Sequence, residues 1–213
     1  MTVSPAHLAS LLSSRLCHDM LSPVGALTNG LELLSEEQDD EMRQRCFELL
    51  EQSAHISASK LKFFRLAYGS AGSFSESVSL EEPRALIMAL AGDNGRITVE
   101  WHVGGTKMSK SAVKILLNLA AIGIEALPRG GKLEIAGEMG QDATEIVVRA
   151  SGARIAFDGT VGQALDGSLD DRQISARTAP AYMIYLLADE CGGGIQHMLQ
   201  DDALIMGAVL PQA

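Results

Sequence analysis

The sequence predicts an α + α/β protein: an N-terminal helical hairpin that pairs into a dimeric four-helix bundle, followed by a C-terminal two-layer α/β sandwich. Three observations predict this. Apolar residues recur at helical spacing before residue 70, a Gly/Ser run then breaks the pattern, and beyond it helical stretches alternate with short β-rich runs.

The first helix is carried by Leu8, Leu12, Leu16, Met20, Val24, Leu27, Leu31 and Leu34, whose three- and four-residue steps predict one buried stripe. Ser35 to Asp40 is polar and acidic and reads as a turn. From about Glu41 to Tyr68, Met42, Cys46, Leu49, Ser53, Ile56, Lys60, Phe63 and Ala67 form a heptad-like seam, softened by Ser53 and Lys60. Two long helices joined this way leave an apolar face too wide for one partner helix. Pairing of two hairpins would cover it, so a homodimer is expected.

Gly69-Ser70-Ala71-Gly72-Ser73 reads as a linker, dividing a dimerisation hairpin at 1–70 from a second domain at 71–213. In the second domain Glu81 to Ala91 reads as a helix, Arg96 to Val103 as a strand and Lys110 to Leu127 as a strongly apolar helix. Pro128-Arg129-Gly130-Gly131 turns the chain into a strand around Leu133 to Ala136, and Glu145 to Arg149 is the next strand. A helix over Thr178 to Glu190 stops at Gly192-Gly193-Gly194, and strands at Ile195 to Met198 and Leu204 to Leu210 close the chain. Trp101 reads as core.

Composition excludes several functions. The 213 residues are 46% hydrophobic and carry 27 acidic against 17 basic side chains, a net charge of −10. Both parts are acidic, −3 over 1–70 and −7 over 71–213, so a general nucleic-acid binder is not expected. Cys17, Cys46 and Cys191 are too few and scattered for a disulfide framework or a zinc site, and read as reduced thiols of a cytoplasmic protein. The N-terminus has no secretory pattern, and Lys114, Asn118 and Glu125 interrupt the most apolar stretch, so no membrane span is expected.

His18 is the informative histidine. At about 100° per residue, Leu16, Met20, Leu27, Leu31 and Leu34 all lie on the side opposite it. Its own face carries Ser14, Ser22, Gly25 and Asn29, flanked by Arg15 and Leu21, small enough for another molecule to come close. Asp19 beside an imidazole can accept from one ring nitrogen and leave the other as a nucleophile. Pro23 clashes with the carbonyl of Asp19 four residues earlier, a kink one turn from the pair. Cys17 reads as a packing residue, and His7, His55, His102 and His197 have no supporting context.

His18-Asp19-Met20-Leu21-Ser22-Pro23 resembles His-(Asp/Glu)-x-x-x-Pro, the phosphoacceptor motif of two-component histidine kinases. The second domain resembles the ATPase (Bergerat) domain of the same kinases, but its nucleotide contacts are replaced. Asn118 to Gly131 is similar to the asparagine box, with Ile122 where a magnesium-binding asparagine belongs, and a branched alkyl group cannot ligate magnesium. Ala150 stands for the adenine-recognising aspartate, Arg154 for a glycine, and Thr178 and Pro180 for glycines of the phosphate loop. Cys191-Gly192-Gly193-Gly194-Ile195 keeps the trailing structural motif.

The combination resembles the bacterial ChpT-type histidine phosphotransferases over essentially the whole chain. Arg15 to Asp19, Ser22 to Ala26, Asn29 to Leu33 and Glu125 to Gly131 carry the match. The resemblance implies a homodimer that relays phosphoryl from the receiver domain of a hybrid histidine kinase to response-regulator receivers in a cell-cycle pathway. His18 is then the phosphoacceptor, Asp19 orients it and Arg15 neutralises charge, with Ser14, Leu21, Ser22, Gly25 and Asn29 as the docking floor. No cofactor or metal is expected on this chain, and magnesium would come with the receiver. An active kinase with an atypical nucleotide site and a non-catalytic dimeric scaffold for receivers are the alternatives.

Overall fold

Ser4 starts the first helix: its hydroxyl accepts the His7 amide at 3.2 Å, and Pro5 stands at a position that needs no amide hydrogen. The computed structural model describes residues 3–69, 77–92 and 95–212. Helix α1 runs Pro5–Glu36 and α2 runs Asp40–Ala67. The turn between them is held at both ends. Asp39 caps α2 by accepting from the Met42 amide at 2.9 Å, and Arg43 Nη1 reaches back to the carbonyls of Leu34 at 3.2 Å and Glu37 at 2.9 Å. The helices are antiparallel and touch closely at Gly30, where an added Cβ would lie 2.9 Å from Leu50 Cδ2. Of the expected Gly/Ser linker only Gly69 is described; the rest lies outside the described residues.

The remainder is a layered α/β unit. Strand β1 (Ser77–Ser79) pairs antiparallel with β3 (Lys107–Ser109). A five-stranded sheet has the order β2-β4-β5-β7-β6, built from Ile97–Val103, Gly131–Met139, Ala143–Ser151, Ala203–Pro211 and Gly194–Leu199. Only the β2–β4 pair is parallel, because helix α4 (Lys110–Glu125) makes the crossover between them. The turn after α4 needs its glycines: Gly130 has φ 81°, and a Cβ there would meet the Arg96 carbonyl oxygen at 2.2 Å. Helices α3 (Glu81–Ala91), α5 (Gly159–Leu165) and α6 (Ala179–Glu190) join α4 against one face of the sheet. The other face is wet. Lys132 Nζ lies 2.9 Å from Glu100 and 3.1 Å from Glu134, and Arg149 Nη1 lies 2.7 Å from Glu134.

The core runs from the hairpin into the α/β unit. Phe63, Phe64, Leu66 and Ala67 of α2 are buried in one continuous cluster with Leu86, Ile87, Leu116 and Leu119. Leu8, Leu12, Leu16 and Met20 of α1 pack against the same cluster. The predicted apolar stripe of α1 is therefore packed against this core along its first half only. Val24 and Leu31 are exposed, as are Met42, Leu49 and Ile56 of the α2 seam. Cys46, Ser53 and Ala67 of that seam are buried. Trp101 is half-buried and packs against the core from β2.

Among the described residues four elements were not expected from the sequence: β1, β3, α5 and a 3-10 turn at Asp171–Gln173. The first two are three residues long and have no measurable period. Helix α5 carries Gly159 and Gly162, residues that argue against a helix in isolation, and Gly162 is closely approached: a Cβ there would meet His197 Nε2 at 2.6 Å.

Candidate functional site

His18 stands out from α1 with 82% of its side chain exposed, on the face turned away from the core. Its Nδ1 lies 3.1 Å from Asp19 Oδ1. An ionised carboxylate only accepts, so this contact puts the ring proton on Nδ1 and leaves Nε2 with its lone pair toward solvent. Asp19 is itself held. Its Oδ2 accepts from Arg15 Nε at 2.7 Å, one helical turn back, and Arg15 Nη2 also pairs with Glu125 at the end of α4. Burial works against the Arg15 charge, but Glu125 and then Asp19 outweigh it and hold the guanidinium pKa above its ordinary value. The Arg15 charge is thus balanced within the chain by two carboxylates. Its reach is toward Asp19 and the second domain.

Pro23 is buried in the middle of α1, four residues after Asp19. The Asp19 carbonyl, which has no amide donor at position 23, accepts instead from Lys60 Nζ of α2 at 2.9 Å. Lys60, read from sequence as a softening of the seam, therefore belongs to the site. The signal was available: a proline in mid-helix orphans the carbonyl four residues back, and something must serve it. Glu125 had no such signal, being brought to Arg15 from 110 residues away.

The predicted docking floor is accessible. Ser14, Leu21, Ser22 and Asn29 are exposed, and a Cβ added at Gly25 would meet nothing within 4 Å. Leu21, one turn from His18, is 71% exposed. Cys17 corrects the sequence reading: its thiol is exposed, on the solvent side of α1, and is no packing residue. His7, His55 and His102 are exposed, and His197 packs against Phe157 with ring centroids 5.5 Å apart.

Behind Asp19 a cavity of about 400 Å³ separates the hairpin from the second domain, lined in part by Phe63, Phe64, Asn118, Ile122, Phe157 and Pro180. These include the positions at which the kinase pattern binds nucleotide. Ile122 presents an alkyl group to the cavity, and the Asn118 amide donates to the Lys114 carbonyl of its own helix at 2.8 Å. Pro180 opens α6 with no amide hydrogen to offer a phosphate. Tyr68 also lines the cavity, and burial pushes its phenol pKa up. Among the described residues no group of three or more His, Cys, Asp or Glu side chains could hold a metal ion, and no helix is long and apolar enough to cross a membrane.

Residues 80–203 match the family model described as histidine phosphotransferase C-terminal domain. The chain belongs to the histidine phosphotransferase family. It is 33% identical over 191 residues to protein phosphotransferase ChpT of Brucella abortus (strain 2308), covering 90% of each chain. It is also similar to a bacterial phosphotransferase solved at 1.7 Å, with a TM-score of 0.83, 30% identity and 98% coverage of both chains. The family model covers neither α1 nor α2. In this histidine phosphotransferase the matched region supplies Leu86, Ile87, Leu116 and Leu119 to the core that Phe63 and Phe64 of α2 join.

Proposed function

We propose that this histidine phosphotransferase takes a phosphoryl group from an aspartyl phosphate of one receiver domain onto His18 Nε2 and hands it to the aspartate of another. The Nε2 lone pair attacks phosphorus, the P–O bond to the receiver carboxylate breaks, and that carboxylate leaves with the electron pair. In the return step an aspartate oxygen attacks and the P–N bond breaks toward His18. The observation that carries the reading is an exposed imidazole whose Nδ1 is held by Asp19 at 3.1 Å. Asp19 keeps the proton on Nδ1 and balances the imidazolium-like charge that grows as the P–N bond forms. Arg15 acts through Asp19, holding its second oxygen.

Ser14, Leu21, Ser22, Gly25 and Asn29 form the docking floor for the receiver, which brings its own magnesium in an acidic pocket. The upstream receiver belongs to a hybrid histidine kinase and the downstream receivers to response regulators, as the family resemblance implies. Two hairpins pair into a four-helix bundle, a reading supported by the exposed apolar side chains of Val24, Leu31, Met42, Leu49 and Ile56. The donor is a phosphorylated receiver and not ATP, which the alkyl group of Ile122 and the missing amide of Pro180 support. The three free thiols fit a reducing compartment, the cytoplasm.

The test is incubation with a radiolabelled phospho-receiver. The wild-type chain acquires acid-labile label, His18→Ala acquires none, and labelled ATP alone labels neither. Undiminished labelling of His18→Ala overturns the assignment.

A further inference from the structure

Pro23 removes one hydrogen bond from α1, and its position says which. In a helix the amide of residue 23 would donate to the carbonyl of residue 19, and proline has no amide hydrogen. That carbonyl belongs to Asp19, whose carboxylate sits on His18 Nδ1. Lys60 Nζ supplies the missing donor from the neighbouring helix, at 2.9 Å. Lys60 stands in the heptad line Cys46, Ser53, Lys60, Ala67. Its three companions are small and buried, so a half-buried lysine is an anomaly in that line until its partner is named. Its ammonium makes this hydrogen bond and, among the described residues, no ion pair. It is not there to neutralise a carboxylate.

We propose that Lys60 is a positioning residue for phosphotransfer: it stands in for the amide hydrogen Pro23 lacks and, by holding the Asp19 carbonyl, keeps the Asp19 carboxylate on His18 Nδ1. The proposal rests on His18 as the phosphoacceptor. Without Lys60 the kinked turn loses its cross-helix tie, and the Asp19 side chain is no longer fixed relative to the ring. The neutral imidazole then relaxes toward the form with its proton on Nε2, the usual preference of a free histidine. That form has no lone pair on Nε2 to attack phosphorus.

A double-mutant cycle tests it in the full-length chain, using Lys60→Met, Pro23→Ala and the combination. Two readouts are taken: the rate of labelling from a phospho-receiver, and the His18 tautomer ratio from the nitrogen chemical shifts of the ring. Lys60→Met is expected to slow labelling about tenfold and to lower the Nδ1–H fraction. In the Pro23→Ala background, where residue 23 again has an amide hydrogen, the same change costs less than about twofold and the tautomer ratio stays put. Lys60→Arg, which keeps a donor of similar reach, recovers most of the rate, and Lys62→Met on the exposed side of α2 matches wild type. An equal loss from Lys60→Met in both backgrounds, or no loss in either, overturns the proposal. If His18 is not the acceptor, His18→Ala still takes label while the tautomer cycle reads as before, so the two failures are distinguishable.

Discussion

Met42, Leu49, Ile56 and Phe63 stand seven residues apart on one line of α2, yet the same line has two fates. Phe63 is 3% exposed, inside the core shared with the second domain, whereas Met42, Leu49 and Ile56 are 45%, 55% and 41% exposed. Helix α1 divides in the same way, with Leu8 to Met20 packed against the core while Val24 and Leu31 face out. The antiparallel register, with Lys60 beside Asp19 and Leu50 beside Gly30, puts Val24 level with Ile56 and Leu31 level with Leu49. The lower half of the hairpin is thus completed by the chain itself, and the upper half presents a band suited to a second copy. His18, Asp19 and Pro23 lie at the junction. The proposed phosphoacceptor is therefore anchored on the core side and remains open at its own face.

The sharpest way to break this comparison is to charge the upper half. Leu49→Glu should convert the proposed dimer to monomer, since an unpaired carboxylate buried on each side costs several kcal/mol, about 1,000-fold in the dimer dissociation constant. Sedimentation or light scattering reads this directly, and an unchanged mass would place the band outside the dimer interface. In the lower half, Phe63→Ala should leave the mass unchanged and cost about 3–5 kcal/mol of stability, measured by denaturant unfolding. A loss well below that range would mean that the two parts of the chain do not share a core.

Between the helices the hairpin is closed even where its outer face is open. Gly30→Val should cost about 1–3 kcal/mol, because a Cβ at this position already approaches Leu50 Cδ2 to 2.9 Å. A neutral melting shift would show slack at that contact.

The smallest effect belongs to the wet face of the sheet, an exposed surface finished by charge. Arg149 first, then Lys132, hold the Glu134 carboxyl below its ordinary value of 4.5. A carboxyl depressed in the folded state stabilises above its unfolded value and loses that contribution as pH falls through the lower folded one. Arg149→Met should remove about 0.5 kcal/mol above pH ~4.5, and the gap from wild type should shrink on acidification below it. Thermal melts across that range check the sign, and a gap that widens in acid would refute it.

Much of this was legible from periodicity and punctuation. The stripe in α1, the acidic turn before Asp40 and the Gly130-Gly131 turn all follow from side-chain spacing and backbone freedom, which are local properties. Helix α3 was read as Glu81 to Ala91 and is found over those residues. Helix α5 was hidden because its two glycines argue against a helix in isolation, and the close packing of His197 and Phe157 on Gly162 comes from tertiary structure. At the candidate site, His18, Asp19 and Pro23 were readable as neighbours in sequence. Arg15 was readable one turn away, but its second partner Glu125 was not, and Lys60 was visible only as a flaw in a seam.

By itself the sequence determined which residues share a helix face, where helices and strands begin, and that an exposed histidine sits beside a carboxylate and one turn before a proline. Those follow from the helical period and from what proline and glycine do to a backbone. Only the tertiary structure decided which stretch of a uniform apolar stripe would be buried, and which distant donor would serve the carbonyl that Pro23 orphans. The reason is that burial and cross-helix hydrogen bonds depend on what the rest of the chain places alongside. Phe63 and Ile56 look alike along the chain, and only one of them has a second domain packed against it.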